Sequence, residues 1–238
     1  MRLHRFYISE PISARAEVIV VDADLVHQIR NVFRLKNGDS VILFDGSGSD
    51  YTCRIEGGDK HSITFIVIES SRSRYIPTQH VVLCAAVVKK DTFEWIAEKA
   101  TELGVSEIVP VISERSEKKS LNESRLSKIV NEASEQSGRG DIPVLHSVIE
   151  LREYIEKNII DGSKMLAFHI DGPIFDRARF TASADAKTHI FIGPEGGWSP
   201  DELALFHSKK IPVVSLGTQV LRAETAVVSA LSLTLLGK

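Results

Sequence analysis

Two patterns of hydrophobic and polar positions divide the chain, and the change between them falls near residue 72. Short runs rich in β-branched and aromatic residues come first, separated by turn dipeptides such as Asn37-Gly38 and Gly57-Gly58. Beyond the change, wholly apolar runs alternate with stretches whose apolar residues recur every three or four positions. The first pattern predicts a β-rich domain, and the second predicts an α/β domain with a parallel sheet.

The first pattern predicts four strands and one basic helix. Residues 27–36 space Ile29, Val32 and Phe33 as a short helix would, and they place Arg30 and Arg34 four positions apart on one positively charged face. A compact β-barrel with this short helix fits the segment better than an α/β unit does. The predicted strands are residues 17–21, 40–44, 51–55 and 62–68.

A polar segment, residues 70–78, has the composition of a linker and sets the boundary between predicted domains 1–72 and 73–238. In the second domain, Asp91 and Gly104 are the expected N-cap and stop of one helix. Ser199-Pro200 followed by Glu202 predicts a capping box at the start of another helix. The predicted strands are 81–88, 105–112, 164–170, 188–192 and 211–216, and the predicted helices are 92–103, 125–137, 150–158, 200–208 and 224–236.

Composition excludes several classes of protein. Apolar residues make up 43% and charged residues 26%, as in an ordinary globular protein. The sequence holds no uninterrupted apolar run of about 18 residues and no apolar segment after its N-terminal arginines, so we expect no transmembrane helix, no signal peptide and a cytoplasmic location. Cys53 and Cys84 are expected to be buried thiols, and because the histidines show no metal-ligand spacing, no metal is expected.

Three glycine-bearing loops follow predicted strands of the second domain. They are residues 169–173, 193–198 and 215–222, and they would share one edge of a parallel sheet. The carboxyl ends of parallel strands are where α/β proteins bind ligands, and glycines there let backbone atoms approach an adenine or a ribose closely. Each loop taken singly is weak evidence, because a glycine after a strand more often belongs to an ordinary turn.

Signatures of nucleotide-dependent enzymes and hydrolases are missing from the sequence. No G-x-x-x-x-G-K-[ST], G-x-G-x-x-G or G-x-S-x-G motif occurs, so a phosphate loop at residues 193–197 is disfavoured. Arg222 and Glu224 lie between the third loop and an apolar segment. Arg222 could reach a bound anion or base there, and a purely structural Arg–Glu pair fits the sequence equally well.

A series of short blocks spans nearly the whole chain. In the first domain these are Arg34-Leu35-Lys36, Gly38-Asp39 and residues 43–46, and in the second domain they are residues 89–96, 99–105, 113–116, 135–139, 191–197, 216–217 and 221–226. Together they resemble the ribosomal RNA small subunit methyltransferase E family, within the knotted SPOUT superfamily. The first-domain blocks are similar to the PUA-like RNA-binding domain of that family.

The resemblance implies a homodimeric enzyme whose C-terminal domain is a SPOUT α/β-knot, a parallel sheet flanked by helices and threaded into a deep trefoil knot. It implies S-adenosylmethionine as cofactor and methylation at N3 of a uridine near the 3′ end of 16S ribosomal RNA in the small ribosomal subunit. Gln219 and Ala223 depart from the family, in which arginine and threonine are common at these positions. The cofactor-binding residues that it implies are Ile170, Gly193, Glu195, Gly196, Gly197, Leu216, Gly217, Val220 and Leu221.

For the chemistry, we predict that Arg222 stabilises negative charge on the uridine carbonyls, with Glu195 or Glu224 orienting it or accepting the N3 proton. Because the base must leave its stack, the RNA is expected to be held elsewhere by clustered positive charges. A non-catalytic RNA-binding or ribosome-assembly factor is the alternative interpretation. The expected RNA-contacting residues are Arg2, Arg5, Arg30, Arg34, Lys36 and Arg139.

Overall fold

A computed structural model describes residues 3–13, 17–74, 76–117, 120–159, 163–177 and 187–236. The chain folds into two compact units. The first contains the chain up to Ile76 together with Ser134–Ile142, and the second contains Pro77–Ala133 together with the chain from Pro143 onward. Residues 134–142 therefore belong to the first unit although they interrupt the sequence of the second.

Five strands build the first unit: β1 Arg5–Tyr7, β2 Glu17–Val20, β3 Ser40–Phe44, β4 Ser49–Gly58 and β5 Ile63–Arg72. Their order in the sheet is β1-β3-β4-β5-β2, with β1 parallel to β3 and the other neighbours antiparallel. Buried and exposed side chains alternate along much of β4 and β5, so one face covers a core that includes Phe6 and Phe65. Within the described ranges no ladder joins β1 to β2, so the strands follow an open path. The predicted β-rich character is confirmed.

The helix of the first unit begins four residues earlier than the sequence predicts. Helix α1 spans Ala23–His27 and is followed by one π-helical turn at Gln28–Val32; the Asp22 carboxylate caps it by accepting from the Leu25 amide at 2.8 Å. Arg34 has a φ of +55° and lies past the end of this segment. The prediction of one helical face carrying Arg30 and Arg34 is therefore wrong.

The second unit is an α/β domain, as predicted, with a seven-stranded sheet whose neighbouring strands are all parallel. The order is β12-β10-β11-β6-β7-β8, with β9 also paired to β7. Every residue of β6 and β11 is buried, as in strands covered on both faces. The strands are β6 Val81–Ala86, β7 Glu107–Ile112, β8 Val144–Leu145, β9 Ile149–Glu150, β10 Lys164–Phe168, β11 Thr188–Ile192 and β12 Val213–Val214. The helices are α2 Lys90–Leu103, α3 Glu123–Ser137, α4 Leu151–Asn158, α5 Pro200–Ser208 and α6 Ala223–Leu231, the last continuing as a π-helical turn at Ser232–Leu236.

The predicted helix ends are correct at α5 and partly wrong at α2. Ser199 and Glu202 form the expected capping box, and Gly104 ends α2 with a φ of +99°. However, α2 begins at Lys90, so Asp91 lies inside the first turn and is not the N-cap. Its carboxylate still faces the positive end of the helix dipole, which explains why an acidic residue suits this position.

Helices within the described ranges are too short or too polar to cross a membrane. Both cysteines are buried and unpaired with each other, as predicted.

A buried carboxylate connects four segments near the amino-terminal edge of the second sheet. Glu107, the first residue of β7, accepts hydrogen bonds of 2.6 Å from Nε2 of His80, Nε2 of His146 and Nζ of Lys187. Its side chain is 11% exposed. Burial by itself would raise the pKa of Glu107, but the hydrogen bonds from Lys187, His80 and His146 outweigh burial and lower the pKa to about 2.

Glu107→Gln should destabilise the protein in a pH-dependent way. A carboxyl group whose pKa is lower in the folded state stabilises the fold above its ordinary pKa of 4.5, and this stabilisation is lost as the pH falls toward 2. We expect the variant to lose about 3 kcal/mol of unfolding free energy at neutral pH, and the difference from wild type to shrink at more acidic pH. Urea unfolding across this pH range measures the difference in unfolding free energy between the variant and wild type. The control is Glu102→Gln, because Glu102 forms an exposed pair with Lys99. A difference that does not depend on pH would contradict the account.

Candidate functional site

The three loops singled out in the sequence lie at one edge of the second sheet. Residues 169–173 follow β10, residues 193–198 follow β11, and residues 215–222 follow β12. Strand β10 pairs in parallel with both β11 and β12, so the carboxyl ends of all three strands point the same way and are neighbours. The first and third loops are also joined directly, because the Ser215 amide donates to the Pro173 carbonyl at 2.8 Å and the Phe175 amide donates to the Ser215 carbonyl at 2.8 Å.

Together the loops line one cleft, with a volume of about 210 Å³. The start of α6 closes it on one side through Ala223 and Ala226. Of the residues expected to bind cofactor, all line the cleft except Gly217. Sequence reasoning missed several further lining residues: Phe168, His169, Ile192, Pro194, Ser215, Gln219, Ala223 and Ala226.

The loop at residues 193–198 is held against the sheet by Trp198. This side chain is 1% exposed, and its Nε1 donates to the Phe168 carbonyl at the end of β10 at 3.1 Å. A Cβ atom on Gly193 would lie only 3.2 Å from the Trp198 ring, so a side chain at Gly193 would displace the indole. Buried aromatic packing therefore fixes the middle loop relative to its neighbours.

Two glycines in the loops have backbone conformations that other residues rarely adopt. Gly197 has a φ of +68° and Gly217 a φ of +146°. A Cβ atom on Gly197 would also lie 3.5 Å from Nε2 of His169, which lines the cleft. Backbone at Gly197 therefore borders the cleft in a conformation that other residues rarely adopt, which suits a ligand recognised by main-chain hydrogen bonds.

The three predicted catalytic residues take different positions. Glu195 is exposed and lines the cleft. Arg222 is the exposed N-cap residue of α6, and Glu224 is half-buried in its first turn; neither lines the cleft, although Ala223 between them does. In the part of the chain that the structure describes, no ion pair joins Arg222 to Glu224, so the alternative of a structural Arg–Glu pair is not supported.

Two of the predicted RNA-contacting arginines are buried inside the first unit. The Arg5 guanidinium donates to both carboxylate oxygens of Asp50 at 2.7 and 2.9 Å, and its side chain is 7% exposed. The Arg139 side chain is 4% exposed and bonds Asp141 at 2.8 Å. Both arginines already have carboxylate partners away from solvent, which disfavours them as phosphate contacts.

The segment around Arg139 instead ties residues 134–142 to the first strand of their unit. The Glu135 carboxylate accepts from the Tyr7 amide at 2.8 Å, and the Arg139 carbonyl accepts from the Arg5 guanidinium at 2.8 Å. The Arg5 guanidinium also lies 4.9 Å from the centre of the Phe44 ring. The block at residues 135–139 therefore has a structural role that sequence could not assign.

The other predicted RNA contacts are more accessible. Arg30 is half-buried and donates to the Gly57 carbonyl at 3.2 Å, whereas Arg34 and Lys36 are exposed. Arg2 lies outside the described residues.

Known families and structures match this chain along most of its length. Residues 75–235 match the family described as RNA methyltransferase domain, and residues 21–68 match the one described as RNA methyltransferase PUA domain. The Ribosomal RNA small subunit methyltransferase E of Rickettsia conorii is 31% identical, over 98% of this chain and 95% of that protein.

Two solved structures are similar over almost the whole fold. The Ribosomal RNA small subunit methyltransferase E of Neisseria gonorrhoeae, bound to S-adenosyl methionine, has a TM-score of 0.89 and 28% identity, covering 97% of this chain and 96% of that chain. A Legionella pneumophila protein solved with the same cofactor has a TM-score of 0.87 and 27% identity, covering 98% of this chain and 96% of that chain.

Arg5→Ala should lower the stability of the protein because it leaves the Asp50 carboxylate, whose side chain is only 15% exposed, without its partner. The expected loss of unfolding free energy is about 3 kcal/mol, in the range for breaking a buried ion pair. Arg54→Ala, which removes one half of an exposed pair with Glu56, is the matched control and should cost less than about 1 kcal/mol. Thermal and urea unfolding measure both, and equal small losses would show that the Arg5 pair is not structural.

Proposed function

The chain belongs to the ribosomal RNA small subunit methyltransferase E family, and from this premise we propose that it methylates N3 of a uridine near the 3′ end of 16S ribosomal RNA, using S-adenosylmethionine. The observation that carries the proposal is the single cleft formed by the loops after β10, β11 and β12. The two solved relatives described above, at 28% and 27% identity, hold this cofactor. The substrate would be the small ribosomal subunit, and the enzyme would act in the cytoplasm.

The cleft residues fit such a cofactor. Gly193, Gly196 and Gly197 bring backbone close to the cleft, while Leu216, Val220 and Leu221 add apolar surface beside it. An adenine ring needs apolar contact on its faces and main-chain hydrogen bonds at its edge. Bound S-adenosylmethionine would supply an electrophilic methyl group on its sulfonium, so the chain mainly has to align the uridine N3 atom with that methyl and exclude bulk water.

Uridine N3 carries a proton, so the chain must also accept that proton. The Glu195 carboxylate lines the cleft and is the better placed acceptor; Glu224, in the first turn of α6, is the second candidate. Negative charge spreads onto the two carbonyl oxygens of the base as the proton leaves. The exposed Arg222 guanidinium, which in the described part of the chain has no carboxylate partner, is free to stabilise that charge.

In this proposal the first unit binds the RNA. With Arg5 and Arg139 buried, the described residues that remain of the predicted RNA contacts are Arg30, Arg34 and Lys36, of which the last two are exposed. Phosphate contacts from such groups position an RNA without reading its sequence.

We also propose a homodimer with a knotted C-terminal domain, as the family resemblance implies. Large apolar side chains at the cleft support a partner surface: Ile170 and Val220, which also line it, are 40% and 83% exposed, and Ile174 is 70% exposed. An exposed apolar group of this kind is typical of a surface that another protein covers. The trefoil knot itself stays a prediction.

Arg222→Ala should abolish methyl transfer and leave cofactor binding nearly unchanged, because Arg222 does not line the cleft. Small subunits from cells lacking the protein, incubated with the wild-type enzyme, should gain one methyl group on a uridine near the 3′ end of the 16S RNA by mass spectrometry. We expect the variant to lose at least about 100-fold in turnover, as for removal of one charge-stabilising group, and Arg222→Lys to retain part of it.

Full turnover by Arg222→Ala would remove this residue from the mechanism. If the wild-type protein bound RNA but did not bind S-adenosylmethionine and did not methylate the RNA, the chain would be a non-catalytic assembly factor instead.

Replacing Arg30 and Arg34 together by alanine should weaken RNA binding and flatten its salt dependence. Each lost phosphate contact lowers the slope of log K against log salt concentration by about 0.9, so we expect a change of about 2. S-adenosylmethionine affinity, measured by calorimetry, should stay at the wild-type value. Lys60→Ala, also an exposed basic residue of the first unit, is the control for loss of one general positive charge. Unchanged RNA affinity and slope in the double variant would reject Arg30 and Arg34 as phosphate contacts.

A further inference from the structure

We propose that Arg115 is a positioning residue for the cofactor cleft: it sets the peptide planes of the loop at residues 193–198 without itself lining the cleft. This inference rests on the proposed function, in which that loop binds S-adenosylmethionine. Arg115 lies after β7, outside the three ligand loops.

The contact is between one guanidinium nitrogen and two loop carbonyls. Nη1 of Arg115 donates to the Gly196 carbonyl at 2.6 Å and, more weakly, to the Trp198 carbonyl at 3.4 Å. Hydrogen bonds from a charged donor are about twice as strong as neutral ones. The outer side of the loop is therefore held by a cation.

The opposite ends of the same two peptide groups are also bonded. The Gly197 amide, which shares a peptide plane with the Gly196 carbonyl, donates to the Pro194 carbonyl at 2.8 Å. The Ser199 amide, which shares a plane with the Trp198 carbonyl, donates to the Glu202 carboxylate at 2.7 Å. Both planes are thus fixed from both sides, and the loop keeps one orientation.

A short turn presents Arg115 to the loop. The Ser116 amide donates to the Ser113 carbonyl at 3.0 Å, and Oγ of Ser116 accepts from the Ser113 amide at 3.2 Å. Next to Arg115, the Glu114 amide donates to the other carboxylate oxygen of Glu202 at 2.9 Å. The capping carboxylate of α5 therefore joins the turn to the same loop that Arg115 holds.

Gly196 also packs against the stem of Arg115. A Cβ atom on Gly196 would lie 3.3 Å from Cδ and 3.6 Å from Cβ of Arg115. A larger residue at position 196 would therefore require the arginine stem to shift by a few tenths of an ångström.

The consequence for binding follows from the flexibility of glycine. The Gly196-Gly197 peptide has no side chain to restrict it, so its orientation depends on two hydrogen bonds, one from Arg115 and one to the Pro194 carbonyl. Without the outer cation only the Pro194 bond remains, and the Gly196 carbonyl gains freedom to turn toward the cleft. Arg115 thus favours the binding-competent orientation before the cofactor arrives.

Titration calorimetry of the full chain with S-adenosylmethionine tests this role in Arg115→Met and Arg115→Lys. Loss of a charged hydrogen bond predicts a Kd raised by about tenfold or more in Arg115→Met, with a smaller effect in Arg115→Lys. KM for S-adenosylmethionine should rise in parallel, whereas kcat at saturating cofactor and KM for the RNA substrate should stay near wild type. Arg125→Met is the matched control, because Arg125 is an exposed arginine of α3 paired with Glu94.

Chemical rescue separates positioning from a general loss of structure. In Arg115→Ala, added methylguanidine should restore part of the cofactor affinity, while methylamine at the same concentration should not. Two results would overturn this inference and leave the proposed function standing. One is wild-type affinity for S-adenosylmethionine in Arg115→Met. The other is no rescue in an Arg115→Ala protein that unfolds at the wild-type temperature. A wild-type protein that does not bind S-adenosylmethionine would overturn the proposed function and this inference with it.

Discussion

Parallel pairing of β10 with both β11 and β12 is the constraint on which the site depends. Parallel strands end at the same edge, so loops that begin more than twenty residues apart in sequence become neighbours there. A single antiparallel strand among the three would place its loop at the other edge and divide the cleft. The cleft therefore forms because of the direction of the strands in the sheet, and individual side chains shape it only once the loops are neighbours.

Both edges of the second sheet carry polar contacts, with different physical roles. At the carboxyl edge, backbone groups of glycine loops are held from behind by Trp198, Glu202 and Arg115, which leaves the cleft face available for a ligand. Toward the amino edge, the Glu107 carboxylate accepts hydrogen bonds from His80, His146 and Lys187. The hydrogen-bonded carboxylate holds segments of the fold together, whereas the groups proposed to react at the opposite edge, Glu195 and Arg222, are exposed.

Sequence patterns predicted the elements that depend on local chemistry. The capping box at Ser199, the stop at Gly104 and the bounds of β11 follow from residues within a few positions of each other. The burial of Arg5 and Arg139 could not be predicted in this way. The partners of Arg5 lie 45 and 134 positions away in sequence, and such distant partners decide whether a charged side chain is buried or exposed. Strand β1 was missed for a related reason: three residues carry too little periodicity, and the strand exists because β3 pairs with it. Arg115 belongs to the sequence block at residues 113–116, but its proposed role depends on a loop that lies 81 positions away.

Hydrogen–deuterium exchange with and without S-adenosylmethionine tests the central claim most directly. The account predicts that the cofactor slows amide exchange together in the segments after β10, β11 and β12, with the first unit unaffected. Slowed exchange in only one of these segments, or none in any of them, would contradict a single cleft built by three loops.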